Sequence, residues 1–424
     1  MTQSPIIIIG AGLAGVTSFY ELAARGMDVV LIDGEAQVAQ GASFANGAVL
    51  HPSLPDPWNN PGIGWPLLAS VLNPLAPMKL HLGQVPKLLG WGASFMRNAA
   101  PARHRAITQA NYHLAQYSTR QTDVLREALG LQFEASAPGT LKLFHTAKER
   151  ASALAMAQLL APHGLVYKAL DREALLAREP SLAQAADSLT GALYFPDDRV
   201  GNAQVFCQQL LSHAQRLGGE LLLGAKVSRL HREGHRVVGV EVDGEFRRGQ
   251  VLVSAGVGAR AILAPLGIKL PVQPAKGYSL TLSTQAMAGP QLAHPLVDPR
   301  LHIAVTPLAD KIRILGMAEF MGHDRSIEPN RLRLLRQFFE RLLPDMAAQL
   351  DWQQGEAWAG LRPMSSDGRP FIGAAPLDGL WLNCGHGHLG WTMAVGSARL
   401  LADLISGQTP AIEAAPFAFS GRRL

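Results

Sequence analysis

Near its start the chain carries a β-branched run, Ile6 to Ile9, that enters Gly10-Ala11-Gly12-Leu13-Ala14-Gly15. A second apolar run, Val29-Val30-Leu31-Ile32, follows and ends at Asp33. Between them Val16, Phe19, Tyr20 and Ala23 recur at helical spacing, and Gly26 is placed to stop the helix. The pattern predicts strand, tight turn, helix and strand, a complete βαβ unit.

Further along, residues 41–50 are small and polar, which suits a loop passing close to a ligand. The proline-rich stretch that follows predicts no continuous helix before about Lys87. Helices are expected over 104–128 and 148–163, with an alternating strand at 140–144 between them. A helix over 202–217 leads into strands at 220–223, 227–231 and 237–242, turning at Gly234 and Gly244. The run 251–256 reads as a buried strand ending in Ala255 and Gly256, small enough to let a dinucleotide lie over the sheet edge. Segments 278–283, 301–305 and 312–316 predict antiparallel strands, with Asp310 in a turn. An amphipathic helix over 330–343 sets Leu332, Leu335, Phe339 and Leu342 against Arg331, Arg333, Arg336 and Arg341. It fits a surface helix or a membrane-surface contact. Finally a strand at 379–383 breaks into Gly385-His386-Gly387-His388-Leu389-Gly390 before a helix over 391–405, a second turn whose helix N-terminus suits a negative group.

The first glycine turn has a mechanical reading. Gly10 allows the tight turn, Gly12 lets backbone approach a pyrophosphate, and Gly15 lets helix pack on strand. Asp33 stands where a carboxylate accepts hydrogen bonds from ribose hydroxyls. An acid there, rather than an arginine, favours FAD or NAD over NADP, and the motif alone does not choose between the first two. The second turn has no acid of its own, so a separate NADPH site is not indicated.

With 424 residues the chain has room for two or three domains. Charged residues make up 17% and hydrophobic ones 48%, which excludes disorder and coiled coil. A formal charge of +5 permits anionic partners without requiring them. Two cysteines, Cys207 and Cys384, are too few for a disulfide framework and point to a reducing compartment. No HExxH or GxSxG occurs, which argues against metal catalysis and a serine hydrolase; no metal is expected. No apolar run reaches a membrane span, and no signal peptide is apparent.

Several motifs together carry a resemblance: Gly10 to Gly15 with Asp33, the Ser43/Asn46 loop, Lys276-Gly277-Tyr278-Ser279-Leu280-Thr281, Gly316-Met317-Ala318-Glu319, Gly360-Leu361-Arg362-Pro363-Met364 with Asp367-Gly368, and Gly385 to Met393. The chain resembles the FAD-dependent D-amino acid oxidase superfamily, above all the bacterial D-amino acid dehydrogenases, over nearly its whole length. The resemblance implies an α/β fold: a Rossmann-like FAD-binding domain of residues 1–51, 200–268 and 355–424, and an α+β substrate domain of residues 52–199 and 269–354 on an antiparallel sheet. It implies non-covalent FAD and oxidative deamination of a small D-amino acid to a 2-oxo acid and ammonia, with electrons passed to a quinone or another respiratory acceptor. A cytoplasmic location follows, with peripheral contact at the inner membrane left open and no nucleic-acid partner expected.

By the same resemblance Gly10, Gly12, Leu13, Ala14, Gly15 and Asp33 hold the ADP moiety, Ser43 and Asn46 lie near the flavin, and Val227 meets adenine through its backbone. Gly387, Leu389, Gly390 and Thr392 face the pyrimidine end of the ring. Arg362 matches the arginine that grips the substrate carboxylate, a role suited to its paired donors. Tyr278 could donate its hydroxyl to the same carboxylate or pack as an ordinary strand tyrosine, and His386 and His388 could touch flavin or substrate or only fill their turn. No side-chain general base is assigned, because the cofactor carries the chemistry. Departures at Gly47-Ala48, Asn202-Ala203 and His388 bear on substrate scope. A glycine or sarcosine oxidase and a D-proline or D-hydroxyproline dehydrogenase are alternatives on the same frame. A tRNA-modifying flavoprotein is a remote one, since scattered arginines make no basic groove.

Overall fold

The computed structural model describes residues 4–71, 73, 76–289, 291–300, 302–420 and 422. Its first sheet has, among the described residues, six strands in the order Phe371–Ala374, Leu380–Cys384, Gln250–Val253, Ile6–Ile9, Val29–Asp33 and Glu220–Leu223. All pairs are parallel except the edge pair Phe371–Ala374 with Leu380–Cys384. Both faces of such a sheet must be covered, so its strands read as unbroken apolar runs. Ile6, Ile8 and Leu31 point to a core shared with the helices Leu13–Ala23, Ala203–Arg216 and Gly390–Ser406. Ile7, Ile9, Val30 and Ile32 point the other way, onto Leu230, Val237, Val240 and Val242. Those residues belong to a three-stranded sheet of Val227–Glu233, Arg236–Val242 and Glu245–Arg248, the last strand not foreseen from sequence.

The second sheet runs Glu356–Ser365, Val272–Ser283, Lys311–Phe320, Ile303–Leu308, Leu296–Asp298, Thr140–Phe144, Gly191–Phe195 and Lys168–Asp171, with Met78–Leu80 beside Lys311–Phe320. It is mainly antiparallel; Leu296–Asp298 with Thr140–Phe144 and Met78–Leu80 with Lys311–Phe320 are parallel. The strand expected at 301–305 begins at Ile303, and Leu301 lies outside the described residues. The α/β class holds. Glu356–Ser365, assigned from sequence to the nucleotide domain, pairs with Val272–Ser283 from Thr281↔Glu356 to Val272↔Ser365 and so belongs to the second sheet.

One more expectation changes, and of the two readings of the amphipathic helix the surface helix is the one found. The proline-rich stretch contains a short helix, Gly64–Ser70, ahead of Val85–Asn98. The amphipathic helix spans Pro329–Leu342, and Leu335, Phe338, Phe339 and Leu342 are buried in the second core. Its apolar side is therefore not free for a membrane. Arg331 also leaves the predicted basic face, because it is buried on Glu319. The long helix Pro101–Leu129 meets the C-terminal helix, where Ser118 Oγ accepts from Gly396 N–H at 2.9 Å.

Candidate active site

The first glycine turn is fixed by its neighbours. Gly10 has φ +105, and a β-carbon there would lie 2.8 Å from Ala255 Cα. One on Gly15 would sit 1.7 Å from the Gly10 carbonyl oxygen. Packing within the protein thus explains both glycines. Gly12 is different, since its β-carbon would meet nothing closer than Ser43 Oγ at 3.4 Å. The protein does not fill the space over Gly12. Asp33 braces the turn, Oδ2 accepting from Ala11 N–H at 2.5 Å and Oδ1 from Glu35 N–H at 2.8 Å. Ser43 Oγ accepts from Leu13 N–H at 3.1 Å, engaging one donor of the helix's first turn. Asn46 closes its own loop on Ala48 N–H, while its carbonyl accepts from Arg313.

A cavity of about 500 Å³ joins these pieces. Gly10, Gly12, Leu13, Ala14, Asp33, Ser43, Asn46, Val227, Ala255, Gly256, Gly387 and Gly390 all line it, as do Arg362, Tyr278, His386 and His388. Among sequence-selected residues, Gly15, Leu389 and Thr392 are not part of the lining. Leu389 is buried in the helix-side core, and Thr392 Oγ1 accepts from His51 N–H at 3.1 Å.

At Arg362 the site takes its charge. The guanidinium donates to Met317 O at 2.9 Å, and its Cζ lies 5.5 Å from the Trp58 ring centroid. Among the described residues it has no carboxylate partner, and burial alone lowers its pKa to about 10, so it stays charged at neutral pH. Cations drawn out of water are normally paired, so a half-buried Arg362 without a carboxylate is a seat for an anion. Trp58 also stacks on His388, centroids 5.1 Å apart, and His51 lines the same cavity. Burial pulls His51 and His388 well below the usual imidazole range, against the opposing pull of the Asp56 carboxylate, which leaves Arg362 as the cation of this corner.

One expected role is corrected by geometry. Tyr278 donates its hydroxyl to Glu319 Oε2 at 2.6 Å, inside a buried network that Arg331 completes. Its proton is spent there rather than on a substrate. His386 Nε2 bonds Ser397 Oγ at 3.1 Å, turning toward the C-terminal helix, and burial lowers its pKa to about 4. Trp58 and His51 were missed because they lie in or beside an aperiodic, proline-rich stretch; the departure at Gly47-Ala48 was the nearest signal.

The residues present fit FAD. Room stands open over Gly12, and two polar atoms of cavity-lining residues, Ser254 Oγ and Asn383 Oδ1, are buried without a partner among the described residues. A glycine-turn sheet joined to a second domain across such a cavity is the arrangement of a dinucleotide-binding protein. The chain belongs to the FAD dependent oxidoreductase family, whose model matches residues 5–404, and it is an FAD enzyme. It is 38% identical over 429 residues to a D-amino acid dehydrogenase of Cereibacter sphaeroides, covering 99% of this chain and 96% of that one. Among solved structures it resembles glycine oxidase from Geobacillus kaustophilus, with TM-score 0.76, 22% identity and 99% of each chain covered. It also resembles L-proline dehydrogenase from P. horikoshii, with TM-score 0.77, 20% identity and 100% and 99% coverage. No helix among the described residues is long and apolar enough to cross a membrane.

Proposed function

We propose that this chain oxidises small D-amino acids to 2-oxo acids and ammonia and passes the electrons to a quinone rather than to oxygen. A peripheral position on the cytoplasmic face of the inner membrane belongs to the same reading. The observation that carries it is Arg362, a half-buried cation with no carboxylate partner among the described residues, in the lining of an FAD cavity. The Cereibacter sphaeroides relative, named a D-amino acid dehydrogenase, supports the substrate class.

In this reading the guanidinium binds the substrate carboxylate through two parallel N–H donors and sets which face of Cα is presented. Its bond to Met317 O limits its rotation, and Trp58 covers its plane. The uncharged imidazoles of His51 and His388 add no positive charge that would repel the substrate ammonium. When bound, FAD supplies the redox chemistry, accepting hydrogen and an electron pair from Cα. The imino acid that leaves is hydrolysed by water.

The test compares acceptors. Purified holoenzyme given D-alanine should reduce a soluble quinone analogue or dye much faster than it forms peroxide. Peroxide matching turnover in air would make it an oxidase instead.

A further inference from the structure

The active site leaves one surface unexplained. Helix Val85–Asn98 carries apolar side chains on both sides: Trp91 and Phe95 are buried against Met78, Phe320 and Met364, while Pro86, Leu89, Ala93 and Met96 are exposed beside Lys87 and Arg97. A surface helix ordinarily turns polar residues outward. The short helix Gly64–Ser70 repeats the anomaly, with Trp65 76% and Leu68 62% exposed, against 66% for Leu89. The two helices adjoin, since a β-carbon on Gly64 would lie 2.9 Å from Met96 Cε. Leu89 and Met96, two turns apart, share one stripe.

Charge on this segment is one-sided. Between Asp56 and Asp123 the sequence has no acidic residue, yet it holds Lys79, Lys87, Arg97, Arg103, Arg105 and Arg120. Arg97 and Arg103 are exposed, and among the described residues neither makes an ion pair. Both line a second cavity of about 570 Å³, together with Arg369 and Arg422, which share Asp367. Four guanidinium groups there face one carboxylate.

We infer that this face docks on a bilayer bearing anionic headgroups, with Trp65, Leu68, Leu89 and Met96 entering the interface and Arg97 and Arg103 meeting lipid phosphates. A second copy of the chain fits poorly, because it would bring the same positive face. Helix Pro329–Leu342 is no rival, its apolar side being buried. The proposal rests on the reading that electrons leave to a membrane quinone, and it gives that reading a location. Trp58, which packs on Arg362, belongs to the same acid-free segment as the docking helices.

The experiment is vesicle flotation of the holoenzyme with phosphatidylglycerol or phosphatidylcholine vesicles, at low and high salt. Attachment is expected to phosphatidylglycerol only and to weaken with salt. The pairs Trp65→Ser/Leu89→Ser and Arg97→Glu/Arg103→Glu should each weaken it by about tenfold or more. Arg333→Glu/Arg336→Glu/Arg341→Glu should attach as the unmodified chain does. Reduction of a soluble dye should persist in every variant, which shows that they fold. Three outcomes overturn the proposal: no attachment, equal attachment of all variants, or a lipid-free dimer that these same substitutions dissociate. Attachment without quinone reduction would support the docking face and sink only the acceptor reading.

Discussion

Gly277 makes room for Arg362: a β-carbon at Gly277 would come within 2.1 Å of Arg362 Nη1. The two lie on neighbouring strands, Gly277 opposite Gly360 and Arg362 opposite Ala275. The glycine therefore sets the position of the proposed anchor. Gly277→Ala should displace the guanidinium, lowering kcat/KM by about tenfold or more, roughly 1.4 kcal/mol of transition-state binding. FAD content by absorbance should not change, and a variant with unaltered kcat/KM would show that Arg362 has room to adjust.

Tyr278 offers a contrasting case. Its hydroxyl is committed to Glu319, so Tyr278→Phe should cost about 1–2 kcal/mol of stability by leaving that acceptor short of a donor. KM should stay within about twofold, as expected for loss of a group that does not touch substrate. A large rise in KM with unchanged melting temperature would restore the substrate role.

Asp33 joins the turn to the cofactor. Asp33→Ala frees the Ala11 and Glu35 amides and should raise the FAD dissociation constant by about tenfold or more, measured by equilibrium dialysis. Full retention of FAD would confine Asp33 to a dispensable brace.

A buried carboxyl gives a pH signature. Asp198 accepts from Ser53 Oγ at 2.6 Å, and burial raises its pKa from 3.8 to about 7. Between those values the folded chain holds a proton that the unfolded chain has lost, so stability falls as pH rises. The contribution is complete below 3.8 and is lost as pH climbs through about 7. Asp198→Asn should flatten the decline in melting temperature from mildly acidic to mildly alkaline pH. An identical slope in both proteins would rule out Asp198 as its source.

The sequence makes the nucleotide fold legible wherever a local pattern suffices. The run Ile6 to Ile9, the glycines after it and Asp33 lie in one short stretch, and each serves a local turn or strand. What stays hidden depends on partners far along the chain. Arg331 looks like a surface charge until Glu319 is seen to hold it, and Tyr278 looks free for the same reason. Strand Glu356–Ser365 follows the helices of the second domain and precedes the last nucleotide-sheet strands, so sequence order alone does not say which sheet it joins. Trp58 and His51 sit where prolines erase periodicity, and only the folded chain brings them to the lining of the Arg362 cavity.

Under the proposed function, the FAD-loaded cavity presents a D-amino acid for oxidation on Arg362, which has no carboxylate partner among the described residues. Anaerobic titration of the purified holoenzyme, followed by flavin absorbance, tests it most directly. D-alanine should bleach the flavin band and L-alanine should leave it intact, while Arg362→Leu should slow the bleaching by a factor matching about 3 kcal/mol. Bleaching by the L-enantiomer instead, or an unchanged rate in the arginine variant, would contradict the account.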